Sequence, residues 1–140
     1  MSLPLSVRLG DAVEESATEF MAAAGWSKSL PVNTALSEWL RIQAHPGIRF
    51  VATPHGTRIA ALVGGPEVWT VAESWMAHDP ADRSVENVVA ATGLTPREVE
   101  CALNYWADHR REIDSDVERV HHAQEQARRS FERRRALDAF

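Results

Sequence analysis

The hydrophobic pattern changes period within the first forty residues. Leu3, Leu5, Val7 and Leu9 alternate with Pro4, Ser6 and Arg8, the period-2 signature of a strand with one buried face. Pro4 has no N–H to give to a ladder, so it fits the start of such a strand. Gly10 and Asp11 end the alternation, and Asp11 is a suitable N-cap for the next segment. From Ala12 to Ala24 the apolar positions Val13, Ala17, Phe20, Met21 and Ala24 recur at helical spacing, and Gly25 stands where a C-terminal stop belongs. Ser27 or Ser29 then caps a second helix, with Pro31 in its first turn and Val32, Ala35, Leu36, Trp39 and Leu40 as its inner face. One exposed strand and two small helices enclose no core of their own, so this stretch is expected to dimerise.

Further along, Ala44-His45-Pro46-Gly47 breaks the helical pattern and marks a domain boundary. Ile48 to Ala52 and Thr57 to Val63 read as two short strands around the turn-rich Thr53-Pro54-His55-Gly56. Gly64-Gly65-Pro66 opens a helix whose inner face is Val68, Val71, Ala72, Trp75 and Met76. A shorter helix starts at Ser84 with Val85, Val88 and Val89 inward, and stops at Thr92-Gly93. Thr95-Pro96-Arg97-Glu98 then supplies an N-cap, a proline at the first helical position and the glutamate of a capping box. The helix it starts has Val99, Ala102, Leu103 and Trp106 inward. From Arg110 to Phe140 there is neither Gly nor Pro, and Ile113, Val117, Val120, Gln124, Ala127 and Phe131 form a thin heptad-like stripe on one long helix. So narrow a seam is marginal alone in water and calls for a partner groove.

The expected fold is therefore mainly α with a small β component. Residues 1–43 form a dimeric strand-helix-helix domain, residues 44–113 a short hairpin followed by three helices, and residues 114–140 a charged helical tail. The 140 residues are 44% hydrophobic and 25% charged, an ordinary globular balance. A net charge of -5 argues against wholesale electrostatic binding to nucleic acid, so any such contact must be local. Cys101, the single cysteine, can form no internal disulfide and suits a reducing interior. No apolar run approaches a membrane span and no basic-then-apolar leader stands at the N-terminus, so a cytoplasmic location is expected. No catalytic constellation is visible. His45, His55, His78 and His109 are scattered, no metal-binding spacing occurs, and the adjacent His121 and His122 point about 100° apart on a helix. Neither enzymatic activity, a metal, a cofactor nor a small-molecule substrate is expected.

The strand Leu5-Ser6-Val7-Arg8-Leu9, the turn at Gly25, Ser27 and Ser29, and the apolar pairs Ala35-Leu36 and Trp39-Leu40 resemble the ribbon-helix-helix repressors. The resemblance covers about forty residues. It implies that two strands pair across a twofold axis and enter the major groove, with Pro4, Ser6 and Arg8 facing base edges. A guanidinium can donate two hydrogen bonds to guanine, which makes Arg8 the main reader. It also implies that Ser27, Lys28 and Ser29, at the start of the second helix, hold a phosphate through backbone N–H groups. Met1 to Gln43 holds Arg8, Lys28 and Arg41 against Asp11, Glu14, Glu15, Glu19 and Glu38, with the acids mainly on the first helix.

Gly56-Thr57-Arg58-Ile59, Ser84-Val85-Glu86-Asn87-Val88-Val89 and Leu94-Thr95-Pro96-Arg97-Glu98-Val99 are similar to the bacterial family called DUF-four-three-three, many of whose members resemble antitoxins encoded beside PIN-type ribonucleases. The pattern departs from that family at Ala60-Ala61 and at Gly64-Gly65. Val88 to Leu103 also resembles a helix-turn-helix. Its second helix holds Glu98, Glu100 and Asp108 against Arg97, a poor balance for approaching phosphate. The tail resembles toxin-wrapping segments of VapB-type antitoxins. That resemblance implies that Arg128, Arg129, Arg133, Arg134 and Arg135, with Phe131 and Phe140, meet a carboxylate-rich toxin site. The expectation is a homodimeric antitoxin and autorepressor that binds operator DNA and a PIN-type ribonuclease toxin. Two other readings stand beside it: a dimeric adaptor without sequence-specific DNA binding, and a standalone helix-turn-helix regulator using Arg97 and Asn104.

Overall fold

The structure is a computed structural model that describes residues 6–25, 27, 29–54 and 56–139, with the backbone alone at Ser29 and Leu30. Among the described residues the fold is mainly helical, with six α-helices and one two-stranded antiparallel sheet. The helices are α1 (Asp11–Ala24), α2 (Ser29–Ala44), α3 (Val68–Ala77), α4 (Val85–Thr92), α5 (Pro96–Asp108) and α6 (Arg110–Leu137). The strands are β1 (Ile48–Ala52) and β2 (Arg58–Leu62), paired with Phe50 opposite Ala60. A 3-10 turn, Pro80–Asp82, follows α3. No helix among the described residues is long and apolar enough to cross a membrane.

Two compact units divide the chain, Met1–Leu40 and Arg41–Phe140, and the division falls inside α2.

In the first unit, Leu3, Pro4 and Leu5 of the expected strand lie outside the described residues, as does Trp26. The remainder, Ser6 to Gly10, carries no regular secondary structure. A lone alternating segment gains ladder hydrogen bonds only from a second strand. Helix α1 starts one residue earlier than the expected cap allows: Gly10 is the N-cap and Asp11 the first helical residue. There, with Glu14, Asp11 still complements the positive end of the helix. Gly25 closes α1 at φ 67°, a conformation a Cβ would strain, and its N–H reaches the Met21 carbonyl. The expected inner faces of α1 and α2 stay open in the single chain: Met21 is buried, whereas Phe20 is 56% and Trp39 57% exposed.

The second unit has a closed core. Ile48 and Leu62 from the hairpin, Val68 and Val71 from α3, Val88 from α4, Val99 and Tyr105 from α5 and Ile113 from α6 are buried together. The hairpin closes at the Thr53–Gly56 turn, where the Gly56 N–H donates to the Thr53 carbonyl at 3.0 Å. Ser84 caps α4, its hydroxyl accepting from the Asn87 N–H at 3.1 Å. Gly93 ends α4 at φ 74°, and Thr95 accepts from the Glu98 N–H at 3.2 Å to start α5. The Glu98 carboxylate receives the Thr95 hydroxyl rather than the backbone N–H of the usual reciprocal box. Helix α3 begins at Val68, two residues past Pro66, and Met76 points outward instead of into the core.

Candidate functional site

In the first unit the open faces of α1 and α2 line a groove of about 880 Å³, with Val13, Ala17, Phe20, Val32, Leu36 and Trp39 along it. Of the residues expected to touch DNA, Ser6 and Arg8 are exposed in the segment ahead of α1. Ser27 is exposed between the two helices, Ser29 is the first residue of α2, and Lys28 lies outside the described residues. The side chain of Val7, in the alternating segment, is also exposed.

The second unit holds a polar cluster that sequence reasoning missed. The Arg41 guanidinium, on the last turns of α2, donates to the Tyr105 hydroxyl at 3.1 Å and to Glu112 Oε2 at 2.8 Å. The Tyr105 hydroxyl donates to the same carboxylate oxygen at 2.9 Å. Burial, with Glu112 beside it, pushes the Tyr105 hydroxyl above its usual range, so it stays a donor. His45 Nε2 faces Asp108 at 2.9 Å, and its ring meets Tyr105 edge-on, with centroids 5.2 Å apart. His109, at the one-residue break between α5 and α6, stacks on Tyr105 at 4.5 Å. Burial and then the nearby Arg41 cation lower the pKa of His109, which favours the neutral ring. The cluster ties the second unit's first residue, Arg41, to α5 and α6. The detectable signal was the spacing of Tyr105, His109 and Glu112, which puts them on one face if α5 and α6 nearly continue each other.

Helices α4 and α5, with the Gly93-Leu94 turn between them, make the helix-turn-helix outline. The outward side of α5 presents Arg97, Glu100 and Asn104, a set with one cation and one anion. Beside it lies a depression of about 720 Å³ that includes His45, Gly47, Thr95 and Cys101. Burial raises the Cys101 pKa, so the thiol is not activated there.

Helix α6 leaves the core gradually. Ile113 and Asp116 are buried, Val117 and Val120 are half-buried, and beyond them nearly every side chain is exposed. His121 meets Glu73 of α3. Glu125 then receives Arg128 at 2.8 Å and Arg129 at 2.9 Å, which lowers its pKa to about 2, and Arg128 also reaches Glu132 at 2.7 Å. Arg133 donates to the Ser130 hydroxyl at 3.1 Å. The guanidinium groups of Arg134 and Arg135 are exposed without a hydrogen bond or ion pair among the described residues. Phe131 is 54% exposed, and Phe140 lies outside the described residues. The expected arginine set thus divides into two cations held by neighbouring carboxylates and a following group that is not.

No family model, curated protein or solved structure matches the chain. The functional reading therefore rests on the chemistry of these surfaces.

Proposed function

We propose that the chain is a homodimeric antitoxin and autorepressor, with operator DNA bound by the N-terminal unit and a PIN-type ribonuclease toxin bound by the end of α6. The observation that carries the reading is the open apolar face of α1 and α2. Among the described residues of this unit, Met21 is the buried hydrophobic while Val13, Phe20, Val32, Leu36, Trp39 and Leu40 are exposed, which leaves the unit short of a self-sufficient core. A second copy supplies the missing half, and pairing of the two Leu5–Leu9 segments sets Ser6 and Arg8 side by side on a twofold ribbon. The backbone N–H groups at the start of α2 then suit a DNA phosphate. At the other end, Arg133, Arg134 and Arg135 suit a toxin site built from carboxylates.

The test is binding to DNA upstream of the chain's own reading frame. Arg8→Ala is expected to lower affinity by about 1–3 kcal/mol while leaving the dimer intact. An unchanged affinity across a salt series removes the ribbon from DNA recognition. For the tail, a chain ended after Ala123 is expected to keep DNA binding and lose toxin neutralisation on co-expression. Full neutralisation by that chain assigns toxin contact elsewhere.

A further inference from the structure

Two adjoining depressions on the face of α3, α5 and α6 share Met76, Trp106 and Arg110. The larger, of about 510 Å³, has an apolar floor that includes Ala72, Met76, Trp106 and Val117. Its rim carries the carboxylates of Glu73, Asp114 and Glu118 against the guanidinium of Arg110 and the imidazole of His121. Asp114 accepts from the Trp106 indole at 2.8 Å and faces Arg110 at 3.7 Å, and Glu73 meets His121. The Glu118 carboxylate has no hydrogen bond or ion pair among the described residues. An unmatched carboxylate beside an apolar floor suits a cation carried next to an aromatic side chain.

The same chain carries that combination in Phe131 with Arg134 and Arg135. It cannot deliver it to its own groove, because α6 is continuous from Arg110 to Leu137 and Phe131 lies about 21 Å beyond Val117 along the axis. The α6 of another copy can. The side chains of the last turns of α6 are exposed, a marginal state for a helix in water, so cover is a gain.

We propose that the Phe131 segment of one copy occupies the α3–α6 groove of a second copy, with Phe131 against Met76 and Trp106 and an arginine of the 134–135 pair at Glu118. The contact is reciprocal, so one twofold axis serves both tails. It does not depend on the DNA or toxin reading. If the tail also captures an acidic partner, that partner competes with the groove, and the exchange restrains capture.

Hydrogen–deuterium exchange of the full chain tests the proposal at the amides of residues 124–137. Glu118→Arg is expected to speed their exchange about three- to ten-fold relative to wild type, the scale of losing one or two exposed ion pairs. Arg134→Glu with Arg135→Glu is expected to do the same, and an equimolar mixture of the two variant chains to recover part of the protection in trans. Equal tail exchange in wild type and Glu118→Arg overturns the groove. Two variants that both lose protection without recovery on mixing overturn the pairing of Glu118 with these arginines. Sedimentation of Glu118→Arg shows in parallel whether the copies remain associated, which separates loss of the tail contact from loss of the N-terminal dimer.

Discussion

The units Met1–Leu40 and Arg41–Phe140 place their hydrophobic residues in opposite ways. In the second, residues from the hairpin and from α3 to α6 converge until Ile48, Val68, Val99, Tyr105 and Ile113 have essentially no exposure. In the first, Met21 alone is buried among the described hydrophobics, and the apolar stripes of both helices face out. The periodicity that predicts those stripes is as regular in one unit as in the other. What differs is the number of elements available to cover each stripe. About one hundred residues can close a core, whereas some forty residues do so only with disulfides, metals or another copy. The second unit is thus expected to be stable as a monomer and the first to depend on association.

The sharpest way to break this contrast is to cut matched residues from each unit. Ile113→Ala is expected to cost about 2–5 kcal/mol in the denaturant unfolding of the second unit, at any protein concentration. Leu36→Ala is expected to leave that transition within about 0.5 kcal/mol, as exposed substitutions do. Similar costs for both would mean that the units share one core.

A smaller effect concerns the close approach of Gly47, just ahead of β1, to α5. A Cβ at Gly47 would stand 2.6 Å from the Cys101 Sγ. Gly47→Ala is expected to destabilise the second unit by about 1–3 kcal/mol through overpacking. Adding Cys101→Ala removes that sulfur and is expected to restore most of the loss in a double-mutant cycle. No recovery would place the strain in the backbone.

The smallest effect sharpens the account of α6. Asp116 is 4% exposed, Arg119 meets its Oδ1, and its Oδ2 has no hydrogen-bond partner among the described residues. Burial raises its pKa despite that arginine. A raised carboxyl penalises the folded state when ionised. Its contribution is therefore best at acid pH, below the ordinary aspartate range, and is lost as pH rises through the raised folded value. Asp116→Asn is expected to stabilise the protein by about 1 kcal/mol at neutral pH, with the gain shrinking toward pH 4. A gain that does not vary with pH would mean that the carboxyl is satisfied when charged.

Local chemistry made much of the second unit legible in the sequence. Two short apolar segments around the turn-rich Thr53–Gly56 mark the hairpin, and Ser84, Gly93 and Thr95-Pro96 mark helix ends by hydrogen bonds and φ values that reach only a few residues along the chain. The Arg41, Tyr105 and Glu112 cluster was not legible, because it joins positions 64 and 71 residues apart and no local rule selects such partners. Trp39 and Met76 show a second limit. Helical spacing identifies an apolar face, but whether it is covered depends on neighbouring elements, and in this chain both side chains remain more than half exposed. The division of the tail arginines was hidden for a related reason. Glu125 can serve Arg128 or Arg129, and only their rotamers show that it receives both.

Sedimentation equilibrium of the full chain beside Leu36→Asp tests the central claim, that the N-terminal unit is completed by a second copy. The expected result is a wild-type dimer, and a variant that is largely monomeric yet keeps the unfolding transition of the second unit. A wild-type monomer at concentrations well above the micromolar range, or a Leu36→Asp dimer as tight as wild type, would contradict it.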